Sequence, residues 1–270
     1  MTLLNRTALI NATDKGRTIN IRNRIMFDIV KDDFSFSNKA NISIYNISES
    51  TNAFIQSETC NYTLYVGYEN ESSRLLFTGR RDPVNGTHTE RMEADVITKI
   101  ELGDGEEAMK RPLAVSLKGR VSTSDLLPIY IDLLMSNGIG VSFVPGDINH
   151  KIFTNGFSFS GSIKNALDGL ANACSFDWSI QDRGLVILNE KQTIPGPITV
   201  GRRKGIIGSV VKSRNKVEFT TFTDPDLRVG RHIILQSDAE GELSLKLLRV
   251  NHFGDSWEGV WESRCEGLLL

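Results

Sequence analysis

Four histidines (His88, His150, His232 and His252) and three cysteines (Cys60, Cys174 and Cys265) are the residues of this chain most able to bind a metal or act as acid, base or nucleophile. The histidines form no HExxH pair or other closely spaced ligand set, and the cysteines lie too far apart for a CxxC unit or zinc knuckle. Each histidine therefore reads as a turn or strand residue. Cys174, which follows a helical apolar stripe, reads as a small buried hydrophobe. The carboxylate pairs Asp32-Asp33 and Glu106-Glu107 stand in polar connections, whereas a general acid needs a pKa raised by burial. Gly201 to Gly208, with Arg202, Arg203 and Lys204 between, lacks the strand-before, helix-after context that lets backbone amides cradle a phosphate. No enzyme class, metal or cofactor emerges. Trp178, Trp257 and Trp261 can stack sugars or bases, but in strands they more often anchor a core or an interface.

The chain of 270 residues is long enough for about two domains. Its composition (40% hydrophobic, 24% charged, 23 Gly, 7 Pro) is that of a folded protein and excludes collagen-like and disordered chains. A net charge of −2 gives little reason to bind nucleic acid nonspecifically. An odd cysteine count in a chain this long fits reduced, packed thiols. The opening residues, Met1-Thr2-Leu3-Leu4 onward, show neither the basic nor the apolar region of a secretion signal, and no apolar run reaches membrane-spanning length. The Asn-x-Ser/Thr triplets at Asn5, Asn11, Asn41, Asn46, Asn61, Asn70 and Asn85 are accordingly expected on strand faces and turns rather than under glycans.

The elements that position these residues change period along the chain. Arg24 to Val30, Ala40 to Ile47, Cys60 to Tyr68, Leu75 to Arg80 and Glu90 to Ile100 read as strands, with Ala40, Ile42 and Ile44 on one face. Lys31 to Ser37, with Phe34 and Phe36, reads as a connection, and Asp82-Pro83 and Asn85-Gly86 as turns. A helix is expected after Ser122, with Leu126, Ile129, Tyr130, Leu133 and Leu134 on its stripe, Pro128 in its first turn and Asn137-Gly138 as its stop. A second begins near Ser160-Gly161-Ser162, with Ile163, Ala166, Leu167, Leu170 and Ala173 inward, followed by a hairpin through Asp182-Arg183-Gly184. Thr193 to Pro197 reads as a stiff linker. Strands then resume, with a loop at Thr223 to Arg231 and a final hairpin turning at His252-Phe253-Gly254-Asp255. The expected fold is mainly β with a small α/β insert: β-barrel-like domains at 1–112 and 193–270 flank a βαβ-type module at 113–192.

The final hairpin, Leu247 to Glu262, resembles the closing hairpin of phage tail baseplate hub proteins of the late-control D type, in which a His-x-Gly-Asp-type turn is followed by a strand carrying Trp. Asp224-Pro225-Asp226-Leu227-Arg228-Val229-Gly230-Arg231 is similar to the loop that family places before a barrel strand. Phe159 to Leu170 with Trp178 to Gly184 resembles its helix and hairpin, and Phe27 to Ile47 its opening strands. The resemblance implies a structural, non-enzymatic virion protein. It would be a homotrimer at the end of the tail tube, contacting the tube protein, the central spike and other baseplate proteins, with DNA passing only through its ring and no membrane contact. Assembly would take place in the host cytoplasm. His252, Gly254, Asp255, Trp257 and Trp261 are the structural and interface candidates, and Gly254 is expected to hold a backbone conformation closed to other residues. Two other readings remain: a carbohydrate-binding surface module using Trp257 and Trp261, which share a face on a regular strand, and a cell-wall hydrolase.

Overall fold

The computed structural model describes residues 5–33, 37–69, 71–81, 87–92, 94–201 and 205–270. Met1 to Leu4, Phe34 and Phe36, Asn70, the Asp82-Pro83 and Asn85-Gly86 turns and the basic run at Arg202 to Lys204 lie outside these residues.

The first third is β structure. It comprises β1 (Arg6–Asp14), β2 (Arg17–Ile21), β3 (Ile25–Asp32), β4 (Lys39–Tyr45), α1 (Glu49–Ile55), β5 (Asn61–Tyr68), β6 (Arg74–Arg81), β7 (Thr87–Met92) and β8 (Asp95–Gly103). Lys15 and Gly16, both at positive φ (47° and 81°), close the β1–β2 hairpin as a two-residue turn whose twist matches the strands. Alternation sets the faces: Ile25, Phe27, Ile29 and Lys31 of β3 point inward, as do Ala40, Ile42 and Ile44 of β4. The stretch read as one strand from Glu90 to Ile100 is a hairpin that turns back between Met92 and Asp95. β7 buries no residue, so it has no apolar face from which its period could be read.

The middle third continues through α2 (Glu106–Met109), β9 (Pro112–Leu117), β10 (Val121–Ser122), α3 (Thr123–Ser136), β11 (Gly140–Phe143), β12 (Ile152–Phe153), β13 (Phe157–Ser162), α4 (Ile163–Cys174), β14 (Phe176–Gln181) and β15 (Gly184–Asn189). The Asp125 carboxylate accepts hydrogen bonds from the backbone N–H (2.8 Å) and hydroxyl (2.7 Å) of Ser122, fixing the start of α3. Pro128 is the sixth residue of that helix, one turn later than expected, where the N–H it lacks would have bonded the Ser124 carbonyl. The Ser162 hydroxyl caps α4 by accepting from the Asn165 N–H at 3.2 Å. The inner stripe of α4 is Ile163, Ala166, Leu167, Leu170, Ala171 and Cys174; Ala173 faces out, because the stripe follows 3.6 residues per turn to Cys174 instead. Asp182 and Arg183, both at positive φ, turn β14 into β15, and β11 pairs parallel to β15. The Trp178 indole N–H donates to Asp168 of α4 at 3.0 Å while its rings lie in the core.

The last third is β again: β16 (Ile194–Gly201), β17 (Ile206–Ser213), β18 (Lys216–Phe222), β19 (Arg231–Ser237), β20 (Gly241–Asp255) and β21 (Trp261–Leu269). The Pro-rich stretch read as a linker opens β16, which pairs with β19. Pro195 and Pro197 are tolerated near the start of a strand at the end of this branch of the sheet, where missing N–H donors cost least.

By internal contact the chain divides into two units: one holds the described residues up to Asp32 with Asn38–Asp104 and Pro195–Leu270, the other holds Gly105–Ile194 with Asp33 and Ser37. In the first, strands run in the order β17-β18-β21-β20-β3-β4-β8-β6-β5-β1-β2, with β7 beside β8 and β19 beside β20. The 15-residue β20 joins the two β regions: its first part pairs with β19, its last part with β3, and β21 runs along most of its other edge. The second unit has its own core, in which Leu167 is fully buried between helix and sheet. Leu167→Ala is expected to lower unfolding free energy by about 2–5 kcal/mol, measured by chemical denaturation; a loss under about 0.5 kcal/mol, the scale of a surface change, would place the stripe outside the core.

Candidate functional site: the closing hairpin and its seam

β20 runs on to Asp255, so His252, Gly254 and Asp255 are strand residues and the turn lies at residues 256–260, later than expected. Hydrogen-bond satisfaction moves the turn. The Asp255 N–H donates to the Val260 carbonyl (3.0 Å), the Asp255 carboxylate accepts from the Trp257 N–H (2.9 Å), and Gly259 supplies the positive φ of 76°.

Arg24, 231 positions away, clamps this turn. Its Nε donates to both Asp255 carboxylate oxygens at 3.2 Å and its Nη2 to one of them at 2.6 Å, a two-pronged, charge-assisted pair. The same guanidinium lies 4.8 Å from the ring centre of Tyr45 and 5.7 Å from that of Trp257. Ser256 completes the attachment: its N–H donates to the Ile25 carbonyl (3.0 Å) and its hydroxyl accepts from the Ile25 N–H (2.9 Å). From β1, the Arg6 guanidinium donates to the Gly259 carbonyl at 2.9 Å and lies 5.7 Å from the centre of the Trp261 ring.

Inside the seam, Trp261 opens β21 yet belongs to the core of the N-terminal β region, edge-on to Phe27 at 5.3 Å. Gly254 leaves the room for that pair. Its φ is not positive; a Cβ there would overlap the Phe27 ring and come within 2.8 Å of Trp261. The expected conformational role is thus replaced by a steric one.

One strand position further in, His252 is 1% exposed and shares a 2.7 Å hydrogen bond through Nδ1 with the Ser263 hydroxyl. Register places it opposite Ile29, diagonal to Lys31 on the same inward face. Burial first, and the Lys31 cation second, lower its pKa to about 3. The imidazole is therefore neutral across the physiological range.

Trp257 and Trp261 do not share a face. Trp257 stands in the turn, 73% exposed, and Trp261 is buried at 4%, so the paired-tryptophan platform on which the carbohydrate-binding reading rests is not formed. The remaining histidines lie apart: His150 meets Ser124 (3.1 Å), His232 meets Ser244 (2.7 Å), and exposed His88 stands 3.9 Å from Glu90. All three thiols are buried and free, and burial pushes those of Cys60 and Cys265 up. Glu106 pairs with Lys110 and Glu107 with Arg183 instead of converging. Among the described residues no His, Cys, Asp or Glu group has metal-holding geometry, and no helix is long and apolar enough to cross a membrane. Sequence reading missed Arg6, Arg24, Phe27 and Lys31 as members of this site. No spacing signals them, since each meets its partner from the other end of the chain.

Two outcomes follow from this geometry. Gly254→Ala should cost about 1–3 kcal/mol by overpacking and Gly254→Val more, read from denaturation midpoints; equal stability would mean that Phe27 and Trp261 yield freely. Because His252 is charged below about pH 6.5 when unfolded but only below about 3 when folded, the unfolded state binds the extra proton between those values. Stability should be full above about pH 6.5 and fall with acid, by up to about 1.4 kcal/mol per pH unit. His252→Gln should flatten that dependence between pH 7 and 5; an unchanged slope would remove His252 as its source.

No sequence family and no curated protein matches the chain. Solved structures do. A tail protein from Neisseria meningitidis is 10% identical, with a TM-score of 0.60 over 97% of this chain and 96% of that one. The 43 kDa tail protein of prophage MuSo2 from Shewanella oneidensis is 11% identical, with a TM-score of 0.58 over 97% of each. An E. coli component of the type VI secretion system, described as structurally similar to the T4 bacteriophage tail proteins gp27 and gp5, is 9% identical, with a TM-score of 0.63 over 92% of this chain and 74% of that one. The chain thus has, over nearly its whole length, a fold found in phage tail proteins and type VI secretion components.

Proposed function

We propose that this chain is a structural tail protein, the baseplate hub at the distal end of a phage tail tube. As a homotrimer it joins the tube to the central spike, with other baseplate proteins around it and a ring through which DNA passes in transit. The observation that carries this reading is the near end-to-end match to tail proteins of similar extent. The match to a type VI component described as similar to both gp27 and gp5, and matches to chains from VgrG complexes of Francisella, support a position beside a spike.

The β architecture suits the task. A hub must pass from a tube of one symmetry to a spike of another, and a chain offering two β regions gives each copy two comparable surfaces. We assign these to barrel-like domains at 1–112 and 193–270 around the 113–192 module. The role requires rigidity and no chemistry, and the seam meets that need with packing and ion pairs in place of a reactive centre. The protein would reside in the virion tail after assembly in the host cytoplasm.

Removing the chain from the encoding phage should leave particles without spike-bearing tails, and supplying a gold-labelled, epitope-tagged chain in trans should restore them, with the gold at the tail tip by electron microscopy. Complete, infectious tails formed without the chain would overturn the hub assignment.

A further inference from the structure

Three asparagines in the chain are followed by glycine, and two of these pairs, Asn137-Gly138 and Asn155-Gly156, lie among the described residues. Glycine shields its own backbone nitrogen least, so that nitrogen can attack the amide carbon of the preceding side chain. A bond forms from the Gly nitrogen to the Asn Cγ and the Cγ–Nδ2 bond breaks. The backbone proton passes through water to the departing nitrogen, which leaves as ammonia. Water then opens the resulting succinimide at either carbonyl, leaving Asp or isoAsp. The step needs no enzyme, but it needs a side-chain amide free to turn onto the next backbone nitrogen.

The fold treats the two pairs differently. Asn137 caps the C-terminal end of α3, where its Nδ2 donates to the Leu133 carbonyl at 2.8 Å. The Gly138 N–H donates to the Met135 carbonyl and the Ile139 N–H to the Leu134 carbonyl, both at 3.0 Å. Nucleophile and leaving group are therefore both engaged in the last turn of the helix. Asn155 stands exposed in the turn from β12 to β13, and among the described residues its side chain has no hydrogen-bond partner. Gly156 cannot be exchanged for a residue that would shield the nitrogen. Its φ is 89°, and a Cβ there would come within 2.7 Å of the Leu117 carbonyl oxygen. The turn thus requires the glycine that makes its neighbour reactive.

We propose that Asn155 is a site of spontaneous deamidation, while α3 protects Asn137 from the same reaction. Either product places a carboxylate beside exposed Lys118, whose Cα lies 3.6 Å from that same Cβ position. IsoAsp also lengthens the backbone between β12, paired with β10, and β13, paired with β9. This chemistry is independent of the hub reading.

Ageing the purified full chain in mildly alkaline buffer, followed by peptide mapping with mass spectrometry, tests it. The Asn155 peptide should gain the mass of an amide-to-acid exchange at least about tenfold faster than the Asn137 peptide, the scale of the hydrogen bonds that must break at α3. IsoAsp should appear in it, labelled by isoaspartyl methyltransferase. In denaturant the two rates should converge, because both pairs then lose the influence of the fold. Asn155→Gln should remove the fast conversion with circular dichroism unchanged, since a glutamine would have to close a larger and slower ring. Equal rates at the two pairs in the folded chain, or faster conversion of Asn137, would overturn the assignment. So would an Asn155 that stays intact in the folded chain while the denatured chain converts. A rate difference that persists in denaturant overturns it as well, because neighbouring residues rather than the fold would then be its source.

Discussion

The fold depends on one packing constraint: position 254 has no side chain. The Phe27 ring occupies the volume a Cβ would need, and Trp261 packs edge-on against that ring from the opposite strand. This places a residue from the last turn of sequence in the core built by the first hundred. β3 and β20 could hydrogen-bond as a ladder whatever their side chains, but a ladder alone does not fix register. Phe27 over Gly254 does, because a slip of β20 by one residue would turn His252 outward and drive Arg249 and Asn251 into the core. The single sheet linking the two β regions therefore rests on a steric fit of three residues.

The polar groups along the seam act in a different sense. His252 and Lys31 are almost wholly buried, and two nitrogen bases in one interior are costly to desolvate. What these groups add is selectivity, since Ser263 meets His252 only in the native register. Arg24 does the same at the tip, where one guanidinium is held by Asp255 and stacked against Tyr45 and Trp257, so the turn has a single favourable placement.

Much of the architecture was legible because it is written in local period. The alternation of Ala40, Ile42 and Ile44, the Ser122–Asp125 cap, the Ser162 cap and the Asp182-Arg183 turn each depend on residues a few positions apart, and each lies where the pattern indicates. Boundaries were less legible where a neighbour outside the window decides them. Pro195 and Pro197 look like a linker until β19 supplies a partner, and Glu90 to Ile100 looks like one strand until β8 pairs back on β7. The short α1 was missed because Glu49 to Ile55 buries only Ile55 and shows no stripe. At the hairpin the residue types were informative and the geometry was not. Gly254 was singled out for backbone freedom, the commonest reason for a glycine, but its reason is the Phe27 ring, which no local pattern contains.

The same division between local and distant contacts separates the two units. In the Gly105–Ile194 unit the strand pairings join residues at most 50 positions apart: β14 to β15 across a two-residue turn, β9 to β13 and β11 to β15 over 40 to 50 positions. Closing such loops costs little chain entropy, so these elements are able to form while the rest of the chain is unstructured. The seam closes the opposite kind of loop, bringing Arg24 to Asp255 and Phe27 to Gly254. Neither contact has any partner until the final hairpin exists, and the opening strands have an incomplete core until Trp261 enters it. Placing the compact module between β8 and β16 lets a self-contained core span much of that sequence gap. The seam then has fewer disordered residues to close over, and the final hairpin of the sequence is the one that joins the two ends of the sheet.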